Sequence, residues 1–225
     1  MYTTIDWHSE NGIGFLELNT PPANIMNKLF FYEIYDLTDC ILNKDEIKAI
    51  IVSGKGRHFS AGADIGDLLS YSSEGKERLK DFYIANSQTF KRFYTAKIPL
   101  IAAIKGVCIG SAMELALSCH FRFAAENIMM GFPEAGFNLM TGCGGSVYLS
   151  KFLDKKGSME LMLQGKNLNA AEAAEMGLVD VVVNKTELKE KAVNFATEIC
   201  QNYDPKLKSF YIHKFLKQNN VRKQG

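Results

Sequence analysis

Several patterns are missing from this sequence, and each absence removes a class of function. Its five cysteines (Cys40, Cys108, Cys119, Cys143 and Cys200) make no CxxC pair and no Cys/His cluster with zinc-ligand spacing, so no metal site is expected. An odd number of scattered thiols points to reduced cysteines in a reducing compartment, the cytoplasm being the simplest. Cys108, Cys119 and Cys143 lie in apolar stretches, where cysteine behaves as a small hydrophobe. No apolar run reaches the length of a membrane span, and the opening MYTTIDWHSENG lacks the basic segment and apolar stretch of a secretory leader. Charge excess is also lacking. With 26 Lys and Arg against 25 Asp and Glu the formal net charge is +1, so neither nucleic acid nor a membrane surface is an expected partner. There is no internal repeat, low-complexity segment or linker.

What is present suits a packed core: 47% of residues are hydrophobic and 23% charged, and 225 residues suffice for one sizeable domain spanning 1–225. Residues 13–19 (IGFLELN) alternate in part, as a half-buried strand does, and 27–42 carry apolar residues at helical spacing. Short apolar runs at 47–53 and 99–104 read as buried strands, with further strands at 121–124, 128–132 and 178–183. Helices are expected at 76–95, 112–119, 186–203 and 206–218. Asn169 with Glu172 forms a capping-box pattern, closed by Gly177. Strands followed by helices give an α/β fold, with a core over about 1–185 and a helical C-terminal region over about 186–225. That region carries six basic residues (Lys206, Lys208, Lys214, Lys217, Arg222 and Lys223) and no acid from position 205 onward. Such a run is either a solvated helix face or a local attraction for phosphate.

Two segments share one design. FSAGADI (59–65) and GVCIGSAMEL (106–115) each lead from a buried strand through a glycine-rich turn into a helical or helix-opening stretch. Small residues let the backbone come close to a ligand, and N–H groups at a helix start have no internal acceptor. Two such N–H groups aimed at one point hold a developing oxyanion, at about 3–4 kcal/mol per donor. Each segment alone is equally readable as a tight turn.

Taken in order, HFSAGADI, IPLIAAIKGVCIGSAMELALSCHFRFA and FPEAGFNLMTGCGGS resemble the crotonase (enoyl-CoA hydratase/isomerase) superfamily. The resemblance runs from about residue 13 to the helix after Pro205. It implies a spiral of ββα turns, a homotrimer or dimer of trimers, and a coenzyme A thioester as substrate, with no cofactor. It also implies an oxyanion hole formed by the N–H groups of Ala63 and Ser111, and a loop of Ala61, Gly62, Ala63, Asp64 and Ile65 lining the adenine end of CoA. A lysine of the last helices (Lys206, Lys208, Lys214 or Lys217) is implied near the CoA phosphates.

The superfamily shares its oxyanion hole but not its acid and base, so the reaction is read from carboxylates. Glu114 and Glu134 stand at positions resembling the hydratase pair, Glu114 to activate water and Glu134 to donate a proton, and Gly142 at the position whose N–H meets the catalytic water or hydroxyl. Each glutamate also has a structural reading: Ser111-x-x-Glu114 is a capping-box pattern, and Glu134 after Phe132-Pro133 is readable as an exposed turn acid. Departures from the family pattern are Ser111 in place of a glycine, which takes space beside the thioester, Phe132 in place of a polar residue, and a shortened C-terminal region. His120 replaces the acid that usually neighbours Arg122 and is read as structural. The expected activity is hydration of a 2-enoyl thioester on CoA or on an acyl carrier protein. The alternatives are an isomerase moving the double bond between positions 3 and 2, and a degenerate acyl-CoA-binding homologue without catalysis.

Overall fold

The structure is a computed structural model that describes residues 2–202. It opens with strands β1 (Ile5–Glu10) and β2 (Ile13–Leu18), antiparallel and in register from Ile5↔Leu18 to Glu10↔Ile13. The two-residue link works because Asn11 and Gly12 both take positive φ, 51° and 80°, which matches the twist of the flanking strands. Helix α1 (Lys28–Ile41) follows, with the Asn27 side chain accepting the Phe30 N–H as its cap. Its buried face is Phe30, Phe31, Ile34, Leu37 and Ile41, the spacing of one helical stripe.

Strand β3 (Ala49–Gly54) runs into a long turn, then α2 (Ile65–Ser73) and α3 (Lys76–Tyr94). Strand β4 (Leu100–Ile104), wholly buried, continues through β5 (Val107–Ile109) into α4 (Ser111–Ser118). Next come β6 (Phe121–Ala125), β7 (Met129–Gly131) and a 3-10 turn at Pro133–Phe137. The chain ends with α5 (Gly145–Leu149), α6 (Lys155–Gln164), β8 (Asn167–Leu168), α7 (Ala170–Glu175), β9 (Val181–Val183) and α8 (Leu188–Gln201). Strand–strand–helix units thus recur along the chain, and the α/β class expected from the sequence is borne out.

The larger sheet has the order β1-β2-β3-β4-β6-β9 and is parallel from β2 onward. The smaller sheet, β5-β7-β8, lies where β4 would otherwise pass directly into α4. The first glycine-rich turn follows the carboxyl end of β3 and the second that of β5, which extends from β3's neighbour β4. Both turns thus lie at the carboxyl-end side of the parallel strands, where open α/β sheets present ligand sites. A parallel bridge between Ser60 and Cys108 ties the first turn to β5.

Differences from the sequence reading have local causes. Strand β1 was not expected, since its IDWHSE run is largely exposed and lacks alternation. Helix α2 begins inside what reads as loop. The late strand shortens to Val181–Val183 because Leu178 and Val179 are buried in the approach to it. The expected helix at 206–218 and the basic residues from Lys206 to Lys223 lie outside the described residues.

Arg122 recovers an acid that the sequence order denies it. Its Nη2 lies 2.8 Å from Asp180 Oδ2, its Nη1 donates to the Cys119 carbonyl at 2.9 Å, and its guanidinium covers the Phe152 ring at 4.5 Å. His120 Nδ1 accepts the Leu100 N–H at 3.0 Å, joining α4's exit to β4. Among the described residues no helix is long and apolar enough to cross a membrane.

Candidate active site

The first glycine-rich turn is shaped from behind by Asn24. This buried side chain donates to the carbonyls of Lys55, His58 and Phe59 at 2.9, 3.0 and 3.2 Å. Ser60 Oγ donates to the Asn24 carbonyl at 2.6 Å and accepts the Gly62 N–H at 3.0 Å. Met26 then pairs with the residues on either side of Ala63: its N–H meets the Gly62 carbonyl at 2.9 Å, and its carbonyl accepts the Asp64 N–H at 3.1 Å. In a parallel bridge of this kind the central residue turns its own N–H the other way. The Ala63 N–H faces away from Met26, and among the described residues it has no backbone acceptor.

The second turn pivots at Gly110, with φ of 58° and its N–H on the Gly131 carbonyl at 2.9 Å. Helix α4 starts at once, so the Ser111 N–H belongs to the unpaired first turn of a helix. The two turns meet at Gly62. A β-carbon on this residue, whose φ is 87°, would lie 2.6 Å from the Ile109 carbonyl oxygen and 3.3 Å from the Ser111 nitrogen. Only glycine serves here, on grounds of both backbone angle and space.

Between the turns opens a cavity of about 500 Å³. Ala61, Gly62, Ala63, Asp64 and Ile65 line it from the first turn, Gly110 and Ser111 from the second, and Glu134 and Gly142 from the segment after β7. Eight of the nine residues singled out from the sequence as site residues thus share one cavity. The Asp64 carboxylate also has a local task, accepting the Gly66 and Asp67 N–H groups at 2.7 and 3.2 Å at the start of α2.

The ninth, Glu114, sits one layer deeper. It is 0% exposed and is not a wall residue. Its Oε1 accepts the N–H groups of Cys143 and Gly145 at 2.9 and 2.7 Å, so the carboxylate reaches across to the segment after Gly142. The capping-box reading of Ser111-x-x-Glu114 is overturned: the N-cap of α4 is Gly110, and no side chain caps it. Nor is Glu134 an exposed turn acid. It opens the 3-10 turn with its Oε1 against Gly110, 3.0 Å from where a β-carbon would stand.

The second oxygen of each carboxyl, Oε2, is buried and has no hydrogen-bond partner among the described residues. Burial pushes the Glu114 carboxyl up to about 7, with the nearby Glu134 charge adding to the rise. Burial likewise lifts Glu134 to about 7. Phe132, fully buried, has its ring beside Gly145, whose amide holds Glu114. The two Glu114-bound amides favour its ionised form, whereas Glu134 holds no comparable pair. One ionised and one protonated carboxyl near neutral pH is the state this asymmetry supports.

Some wall residues were not legible in the sequence. Tyr83 and Phe82 enter from α3, and Cys143 brings both its thiol and the amide that holds Glu114. Tyr83 reads only as one apolar position of an amphipathic helix, and the cysteine reads only as core. Ser111 Oγ lies 3.7 Å from Cys143 Sγ, so the serine that departs from the family pattern fills space beside that thiol. Among the described residues no group of three His, Cys, Asp or Glu side chains is arranged to hold a metal ion.

Comparison with known proteins follows this geometry. The sequence profile described as enoyl-CoA hydratase/isomerase matches residues 8–222. A probable enoyl-CoA hydratase of Bacillus subtilis is 31% identical over 190 residues, covering 84% of this chain and 73% of that protein. A short-chain-enoyl-CoA hydratase of Clostridium acetobutylicum is 33% identical over 196 residues, covering 86% of this chain and 74% of that protein. The crystal structure of an enoyl-CoA hydratase/isomerase from Xanthobacter autotrophicus Py2 superimposes with a TM-score of 0.89 at 26% identity, over 99% of this chain and 82% of that one. Profile, relatives and fold agree, and the chain belongs to the enoyl-CoA hydratase/isomerase family.

Proposed function

We propose that this protein is an enoyl-CoA hydratase, adding water across the 2,3 double bond of an acyl thioester. The observation that carries the reading is the pair of buried Oε2 atoms, on Glu114 behind the cavity wall and Glu134 in it, neither with a hydrogen-bond partner among the described residues. Unsatisfied buried oxygens are costly to a fold, roughly 1–3 kcal/mol each, and two at one place are best explained by a ligand they serve.

In this reading the thioester carbonyl lies on the N–H groups of Ala63 and Ser111. Ionised Glu114 takes a proton from water as the water oxygen bonds to C3, and the C2–C3 π electrons move toward the thioester as an enolate. The amide pair holds that developing charge. Protonated Glu134 gives its proton to C2, completing the 3-hydroxyacyl thioester, and proton exchange resets the pair. Gly142 supplies an N–H toward the water, and the loop from Ala61 to Ile65 meets the CoA adenine. Loss of the conjugated thioester absorbance of crotonyl-CoA and longer 2-enoyl-CoAs tests it. A folded protein that turns over none of them removes the hydratase assignment.

One observation favours a second reading. Glu134 stands in the cavity wall and Glu114 behind it, and a single carboxylate suffices to carry a proton between C4 and C2 of a 3-enoyl thioester. Glu114→Gln separates the two: an isomerase keeps much of its activity and a hydratase loses nearly all.

The same proposal takes the chain as one domain acting on a CoA thioester rather than a carrier-protein thioester, as a homotrimer or dimer of trimers in the cytoplasm. The assembly is supported by exposed apolar side chains on adjoining elements, Phe137 and Met140 after β7, Val147 on α5 and Leu163 on α6. The compartment is supported by five cysteines, none of which forms a disulfide with another described residue.

A further inference from the structure

Tyr83 occupies the cavity in a way the hydration chemistry does not require. Its ring lies so tightly on Gly142 that a β-carbon at that glycine would fall within the ring's own atoms. What lies beneath the ring is main chain rather than another side chain. Its chain neighbour Phe82 lies tilted 5.9 Å away and is itself held by Tyr71 at 4.6 Å and Phe31 at 5.8 Å. Tyr83 thus has the Gly142 backbone against its ring and Phe82 alongside.

Its position relative to the reacting atoms follows from the chain. Gly142 precedes Cys143, whose amide holds Glu114, the group that delivers water to C3 in the hydratase reading. The carbonyl end of the substrate is fixed at the opposite turns, at Ala63 and Ser111. An acyl chain running from the carbonyl past C2 and C3 thus heads toward the ring that covers Gly142. Both Tyr83 and Gly142 line the cavity, and the phenol lies close enough to Glu114 and Glu134 to feel their charge.

We propose that Tyr83, seated on Gly142, is the residue that ends the acyl pocket and restricts this protein to short-chain 2-enoyl thioesters. The inference rests on the hydratase reading and names its substrate class. A four-carbon chain has one methyl group beyond C3, and each further methylene must displace a ring packed against the Gly142 backbone. A methylene that does not fit an apolar pocket costs roughly 10–200-fold in kcat/KM.

The test is kcat/KM for crotonyl-, 2-hexenoyl- and 2-decenoyl-CoA with the wild type, Tyr83→Ala and Tyr83→Phe. The expected wild-type value falls by about 100-fold or more from crotonyl- to decenoyl-CoA. Tyr83→Ala raises the decenoyl-to-crotonyl ratio by about tenfold or more, and Tyr83→Phe leaves that ratio as in wild type because the ring is the obstacle. Tyr83→Leu serves in place of the alanine variant if the latter does not fold. A wild type equally active on all three chains, or an alanine ratio equal to the wild-type one, overturns the inference while hydration of crotonyl-CoA keeps the hydratase reading. No turnover of any chain by folded wild type removes both.

Discussion

The carboxylate of Glu114 and the main-chain amide of Cys143, 29 residues apart, are joined by a 2.9 Å hydrogen bond, while the other carboxylate oxygen has no hydrogen-bond partner among the described residues. Half of the side chain is thereby fixed as a strut between α4 and the segment after Gly142, and half is available for chemistry. Replacing the acid by its amide keeps an acceptor for the amide hydrogens of Cys143 and Gly145 but cannot take a proton. Glu114→Gln is expected to melt within a few degrees of wild type and to lose about 10²–10⁴-fold in kcat on crotonyl-CoA, the range general-base catalysis contributes. A variant retaining more than about a tenth of wild-type kcat would take Glu114 out of the chemistry.

In the hydratase reading the two carboxyls set the pH dependence of turnover. Both carboxyls are raised to about 7, and activity in the hydratase reading needs one of them ionised and the other protonated. Expected is a kcat/KM profile with a narrow maximum near pH 7, falling below it as the base is protonated and above it as the acid ionises. A plateau extending from pH 5 to pH 9 contradicts the shared-proton arrangement.

The same shift predicts a stability trend. Glu134 has an ordinary value of 4.5 when exposed and about 7 when folded, so between those limits the native protein keeps a proton that the unfolded chain has released. The associated stability is complete below about pH 4.5 and is lost as pH rises through about 7. Glu134→Gln removes this titration. Relative to wild type it should be more stable at pH 8 than at pH 5, by about 1–3 kcal/mol after allowance for the carboxyl's partial contact with solvent. Thermal melts at the two pH values read that difference, a few degrees for a chain of this size. An identical wild-type-to-variant gap at both values excludes a raised carboxyl.

How much of this was visible beforehand depends on sequence distance. The capping box of α7 is legible because Asn169 and Glu172 are three residues apart, and the structure contains both of its hydrogen bonds. The Asn27 cap of α1 and the two strand-to-glycine turns are local in the same way. Tyr83 on Gly142, Asn24 clamping the carbonyls of Lys55, His58 and Phe59, and Cys143 holding Glu114 join residues 29 to 59 positions apart or on different elements. No spacing encodes such contacts. The resemblance pointed to nine residues, eight of which line one cavity, but it left open that Glu114 lies behind the wall and that Ser111 rests against a thiol.

The contact between the two glycine-rich turns is tested by Gly62→Ala. The added carbon would sit 2.6 Å from the Ile109 carbonyl at a φ of 87°, so the turns must part. In the hydratase reading, a separation of even half an ångström weakens hydrogen bonds from both Ala63 and Ser111 to one oxygen. The expected loss is in kcat, by about 10²–10³-fold, with a smaller change in KM, because the developing oxyanion depends on the amide pair more than the bound substrate does. An unchanged kcat would mean that the turns do not cooperate on the carbonyl.

Away from the cavity, the ion pair of Arg122 with Asp180 is an exacting test of packing. Arg122 is 1% exposed and Asp180 31%, so removing the acid strands a positive charge in the interior while removing the base leaves an acid that water can still reach. Burial already drives the guanidinium below its ordinary range, and Asp180 is the main opposing influence. Asp180 Oδ2 also accepts the Arg122 N–H at 2.7 Å, fastening β6 to the approach to β9. Asp180→Ala is therefore expected to cost about 3–5 kcal/mol and to lower Tm by roughly 6–20 °C. Arg122→Met combined with Asp180→Ala should recover part of that loss, because an apolar side chain of similar length restores packing over Phe152 without a buried charge. If the single and double variants melt together, the penalty lies in the lost Asp180 backbone contact and not in the stranded guanidinium.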